Sequence, residues 1–162
     1  MERFLNYLKV QSSALDLALA QPRFGIVSSF NSSTYSARVI MQPEGVLSGW
    51  LPVATPWSGT GWGMICPPTP GQQVIVIAQE GASEHGIIVG TTFSQAMLPP
   101  NVPVGECWLI HGSGSALKLT NQGDVVIAGS QININGNVNI TGNLAVSGTV
   151  SDATGQIGIL GR

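Results

Sequence analysis

The chain has 162 residues, 43% of them hydrophobic and only 9% charged, with 21 glycines, 10 prolines and a formal net charge of −2. So small and acidic a balance supplies no basic field for nucleic acid or anionic lipid, and the apolar content is too high for a disordered chain. So few charges would leave a lone copy poorly soluble, which points to surface buried against other subunits.

At the N-terminus, Phe4, Leu5, Leu8, Leu15 and Leu19 fall near one helical face, and Gln21-Pro22 supplies a stop. Ser12 and Ser13 weaken the middle, so the segment reads as two short helices or a helix and an extended piece. Residues 1–21 are expected to form a helical arm that docks or caps. The segment ends in the small-residue run Ala18-Leu19-Ala20, but Lys9, Gln11, Ser12, Ser13 and Asp16 interrupt what would be the apolar stretch of a signal peptide. No apolar run of about eighteen residues predicts a transmembrane helix.

Residues 22–97 read as short strands divided by turns. "RFGIVSSF" and "TYSARVIM" flank "NSS", a hairpin pattern, and "QPEG" breaks the run. "GWLPVATPWSGTGWG" reads as a long loop or edge segment stiffened by proline. "GQQVIVIAQ" reads as a buried strand, "QEGASEHG" as a turn and "IIVGTTF" as the last strand. Short antiparallel strands with glycine corners fit a small closed barrel of the OB type. Trp50, Trp57 and Trp62 are assigned to packing between barrels, because a stacking platform for bases or sugars would want basic neighbours. The proline-rich "MLPPNVP" is a stiff linker, which opens a linker and neck over residues 98–118.

From 119 to 162 the character changes. Between Leu119 and Gly161 only Asp124 and Asp152 carry charge. Every even position from Ile132 to Val150 is apolar or glycine, and every odd position from Asn133 to Ser151 is Asn, Thr, Ser or Ala. Gly123, Gly129, Gly136, Gly142 and Gly148 recur at intervals of six, seven, six and six. Alternation makes one face apolar, and the glycines mark corners of a prism-shaped β-helix. Ile132, Ile134, Val138, Ile140, Leu144, Val146 and Val150 are its expected core. A single-chain prism would manage little more than two coils, fewer than a solenoid needs. Three identical chains wound about one axis leave no open edge and, at about 4.8 Å per strand, climb about 30–35 Å. The expectation is therefore an all-β homotrimer: an N-terminal arm, an OB-fold barrel and a C-terminal intertwined triple-stranded β-helix.

The segments "GWLPVATPWSGTGWGMICPPTPGQQVIVI", "GIIVG" and "GSGSALKLTNQGDVVIAG", in this order, resemble the central spike, or baseplate assembly protein V, of contractile-tailed bacteriophages. The spike proteins of type VI secretion are more distant relatives. The resemblance spans about residues 20–150. It implies an OB domain at the base, a trimeric shaft, and a place at the centre of the baseplate on the end of the tail tube. The expected function is that of a non-enzymatic virion protein, assembled in the host cytoplasm, that leads the tube through the bacterial outer membrane on sheath contraction. Its expected partners are two further copies, a tail-tube hub protein, a separate tip protein and, transiently, the outer membrane, but no nucleic acid. Many relatives end in a His-x-His pair from which three chains bind iron. Here the last residues are "SDATGQIGILGR", and His85 and His111 are the only histidines, so no metal or other cofactor is expected and a cap is favoured instead.

No catalytic constellation is present in the pattern. "HGSGSA" lacks the Gly-x-Ser-x-Gly elbow, Glu80 and Glu84 read as solvated loop residues, and "SGTGWG" has no lysine to hold a phosphate. Cys66 and Cys107 read as small buried apolar residues without a zinc pattern. His85 is expected in a turn with Glu84, and His111 at the junction of barrel and shaft. Two rival readings are a receptor- or glycan-binding adhesin with a β-helical stalk and, more weakly, a single-strand nucleic-acid binder.

Overall fold

The fold is taken from a computed structural model that describes residues 2–18, 21–79 and 82–151. It divides into two compact units, one up to Asn101 and one from Val102 onward. The chain is mostly β, with one helix. That helix, α1 (Glu2–Ala18), is continuous through Ser12 and Ser13, so the serines do not split it.

In the first unit, β1 (Arg23–Asn31) and β2 (Ser36–Met41) form the expected antiparallel hairpin. The turn is built by Asn31, whose Oδ1 accepts from the Ser33 amide at 3.0 Å and the Ser33 hydroxyl at 2.7 Å. A side chain that mimics the backbone is the local reason for a turn at "NSS". Tyr35 then takes a left-handed φ of 48°. It is anchored there by its ring edge on Phe30, with centroids 5.6 Å apart, and by its phenol oxygen, which accepts from the Cys66 amide at 3.2 Å. Between Val27 and Ser29 the register shifts. Such a bulge bends a strand and helps a small sheet to curl.

The strands β3 (Val46–Leu47) and β4 (Leu51–Pro52) both pair with β2, while β7 (Gln73–Gln79) pairs with β1 and β8 (Ala82–Thr92) with β7. Between them lies a two-stranded ribbon of β5 (Ser58–Gly59) and β6 (Trp62–Gly63). Closure comes at β4. Val53 bridges Ile88 in parallel, and the Ala54 amide donates to the Ile88 carbonyl at 2.7 Å. The sheet β2-β1-β7-β8 is thereby joined back to β2 through β4, which closes the barrel at Ile88.

Val27, Ala37, Val39, Leu51, Val74, Val76 and Ile88 fill the barrel, each almost wholly buried. The unbroken apolar run in β7 does not have both faces covered. Val74 and Val76 point inward, Ile75 is half-buried, and Ile77 is exposed on the outer face with its cross-strand partner Ile87. The segment read as a turn, "QEGASEHG", is largely strand. β8 begins at Ala82, and a register shift beyond Ala78 accommodates the extra residues. His85 therefore sits in a strand, not a turn. Glu80 and the side chain of Glu84 lie outside the described residues.

The second unit opens with a meander of β9 (Cys107–Ile110), β10 (Ala116–Leu119) and β11 (Val125–Ala128), all antiparallel. The expected boundary between neck and shaft at 118/119 falls inside β10. The strands are four residues long and begin nine residues apart, and Gly105, Gly114 and Gly123 repeat with the same period at φ near 90°. Each turn needs that left-handed backbone, which glycine adopts without a Cβ penalty. Residues 129–151 then run without a strand partner among the described residues.

Candidate functional site

The candidate site is a set of surfaces. On the first unit, the hairpin β5–β6 carries Trp57 and Trp62, both largely exposed, with ring centroids 5.0 Å apart and planes at 63°. Thr55 Oγ1 donates to the Met64 carbonyl at 2.6 Å and the Met64 amide to the Trp57 carbonyl at 2.9 Å, which holds the two arms together. Gly59 lies directly under the Trp62 indole, where a Cβ would overlap the ring. The hairpin lies in a stretch from Gly45 to Gln79 without a single charged residue. Trp50 makes a different contact: its ring has the Arg38 guanidinium 5.8 Å from its centre. The structure thus joins two of the three tryptophans and pairs the third with a cation.

On the same unit a recess of about 550 Å³ is lined by Arg23, Met41, Glu44, Val46, Leu47 and His85. Arg23 and Glu44 form an ion pair at 3.0 Å, half-exposed on both sides. Such a pair contributes little, and its two charges largely cancel, so the recess offers no free charge to a ligand.

On the second unit the two faces of the meander differ. One carries Trp108, Ile110, Ala116, Lys118, Val126 and Ala128 and is tied at one end by polar groups. Trp108 Nε1 donates to Glu106 Oε2 at 2.7 Å, and Lys118, its cross-strand partner, places Nζ 4.0 Å from the centre of the Trp108 ring. Asn121 donates through its amide to Glu106 Oε1 at 3.3 Å and through Nδ2 to the Val104 carbonyl at 3.0 Å. The other face carries Cys107, Leu109, Leu117, Leu119, Val125 and Ile127, in register across the three strands and all exposed. Pattern reading of the sequence missed this second set. The nine-residue return of Gly105, Gly114 and Gly123 was the available signal, hidden because Gly123 also fits the six-residue series.

His111 is in the β9–β10 turn. Its Nδ1 accepts from the Ser113 amide at 3.2 Å and lies 2.8 Å from the Ser113 hydroxyl, and its own amide donates to the Ser115 carbonyl. Both cysteines are exposed rather than buried in the single chain. Among the described residues no three His, Cys, Asp or Glu side chains are grouped as a metal site needs.

The glycine series resolves into two kinds. Gly123 closes the β10–β11 hairpin, where its amide donates to the Thr120 carbonyl at 3.1 Å. Gly136 and Gly142, by contrast, share one unusual backbone angle, φ 139° at both. Gly129 follows the last strand, and Gly148 lies at a bend. Ile132, Ile134, Val138, Ile140, Leu144, Val146 and Val150 are all exposed in the single chain, with Ile134 and Leu144 at 67%. Among the described residues no backbone hydrogen bond joins 129–151 to another segment.

Residues 23–93 match the family described as the type VI secretion system/phage-baseplate injector OB domain. A search of curated proteins finds no match. The matched span begins with β1 and ends just after β8, the stretch that closes into the barrel. It agrees with the resemblance to baseplate assembly protein V. The likeness covers the barrel, residues 23–93, and is to the injector OB domain of type VI secretion systems and phage baseplates.

Proposed function

We propose that the chain is a non-enzymatic structural protein of a contractile tail, the central spike of its baseplate, and that it works as a homotrimer. The OB match supports a structural role among tail components. One further observation carries the rest: residues 129–151 repeat a bend of identical φ six residues apart, expose every apolar side chain, and make no backbone hydrogen bond to another segment among the described residues. Unpaired backbone and bare apolar surface are both costly. A partner that answers a six-residue repeat along its length must itself repeat every six residues, and two further copies do so.

In this reading each ribbon winds with two others into a stiff prism. Its strands are paired on both edges, and unwinding one chain would break contacts with both others, so unfolding is slow. Stiffness is what force transmission requires. Sheath contraction drives the tube, the prism leads it through the outer membrane, and the barrels with α1 dock on the tube hub. A separate tip protein caps the strand ends; the residues it would meet, 152–162, lie outside the described residues. The reading includes no nucleic-acid partner and no cofactor.

The test has two arms. Light scattering on the purified chain is expected to give a mass of about three chains, and cryo-EM of the intact particle to show the trimer on the tail axis at the tube end. A monomer at micromolar concentration, or a position on a peripheral fibre, defeats the proposal. The exposed Trp57–Trp62 pair favours one alternative, an adhesin that binds glycans through that hairpin. Binding on a glycan array that Trp57→Ala abolishes while the oligomer persists would select it.

A further inference from the structure

We infer that the open end of the barrel takes an extended, uncharged peptide strand from a partner protein, which completes the wall between β3 and β8. The inference stands on the barrel and does not use the trimeric reading. Along β2 the inward side chains Ala37 and Val39 are wholly buried, and Leu51, the β4 partner of Ala37, is 1% exposed. Met41 is the next inward position of β2 and packs on the core. Its partner on β3, Val46, shares that face yet is 62% exposed. The difference lies in what stands opposite. β4 is closed by Val53 on Ile88, and the Ala54 amide seals that contact. Among the described residues, β3 has no strand on its outer edge, and Ala82–Ile87 of β8 none on the edge away from β7. The seam is shut at one end and open at the other.

The recess of about 550 Å³ occupies this opening, with Val46 and Leu47 of β3, Met41 of β2 and His85 of β8 among its walls. Three features select its occupant. An unpaired strand edge presents backbone N–H and C=O groups, and an extended backbone laid between two such edges answers both. Met41 and Val46 offer apolar surface to a side chain pointing inward, and in a strand the next side chain points out. The Arg23–Glu44 ion pair at 3.0 Å leaves the rim without net charge, so a charge carried inward would go unpaired. A helix such as α1 satisfies its own backbone and cannot fill the role. The fitting partner is a segment of alternating apolar and small polar residues without charges.

The test uses the full-length protein and a capped hexapeptide of alternating valine and threonine, with amide hydrogen exchange followed by mass spectrometry. The control is the same peptide N-methylated at alternate residues, which removes the backbone donors of one edge and leaves the side chains. At millimolar peptide, exchange over β3 and Ala82–Ile87 is expected to slow on the order of 10-fold, while the methylated peptide has no effect. Val46→Asp is expected to lose this protection and to keep the wild-type unfolding midpoint, since the side chain lies largely in solvent. No slowing, equal slowing by the methylated peptide, or slowing confined to other elements overturns the inference. It is also overturned if β3 and Ala82–Ile87 exchange as slowly as the core of β2 before peptide is added, because the chain or a second copy then fills the opening.

Discussion

At the scale of single residues, the tightest demands come from glycines whose missing Cβ makes room. A Cβ at Gly25 would overlap Val39 Cγ1 inside the barrel. Overpacking of this kind costs about 1–3 kcal/mol, so Gly25→Ala is expected to lower stability by that amount in denaturant titration. Ile88, fully buried and at the closure with β4, is expected to cost about 2–5 kcal/mol as Ile88→Ala. Gly59→Ala should displace the Trp62 ring and change tryptophan fluorescence while leaving the barrel's unfolding midpoint nearly unmoved, since the hairpin lies outside the core. Gly142 faces open space in the single chain, yet has φ 139°. Gly142→Val combines strain of about 1–3 kcal/mol per chain with a side chain at a corner. It is expected to reduce heat-resistant trimer on unboiled gels, and normal trimers would remove the corner assignment. The glycines at 25 and 59 were not legible in the sequence, because the reason for each is a neighbour brought close by strand pairing.

At the scale of elements, hairpins and strands followed from local chemistry. Asn31 in "NSS" builds its own turn, and β1 and β2 pair across it as the hairpin pattern predicts. The limits of β8 were not local. "GASEHG" looks like a turn by composition, but β7 runs on to Gln79 and draws Ala82 into the ladder. Two superposed periods misled the reading of the tail: nine in the meander, six in the ribbon, with Gly123 common to both series. The six-residue period is testable. Deleting residues 137–142 removes one whole repeat and is expected to leave a slightly shorter, still heat-resistant trimer. Deleting 137–140 breaks the phase of the glycine bends and is expected to abolish it. If both deletions behave alike, the repeat does not organise the assembly.

At the scale of the whole molecule, the barrel core is small and the exposed apolar surface large. Only medium-sized side chains fill the barrel, whereas Ile77, Ile87, Val89, the meander face and the ribbon all face outward. In the proposed trimer, most of the apolar burial available to this chain would therefore lie between copies. Stability should then depend on protein concentration until assembly is complete. Once formed, the trimer is expected to unfold orders of magnitude more slowly than a barrel alone. Denaturation followed over hours at two concentrations checks this, and fast, concentration-independent unfolding speaks against it.

The sequence by itself determined what depends on neighbours along the chain: a helix at the start, strand–turn alternation through the barrel, the uncharged ribbon with its glycine period, and the resemblance over about residues 20–150, which the family match supports within residues 23–93. Alternation, turn chemistry and propensity are local quantities, and they survive folding largely unchanged. Tertiary structure alone decided the closure of β4 on β8 through Val53 and Ile88, the pairing of Trp57 with Trp62 apart from Trp50's contact with Arg38, and the alignment of six apolar side chains on one face of the meander. Those are facts of register between segments far apart in the chain, and no local pattern encodes register until strands meet.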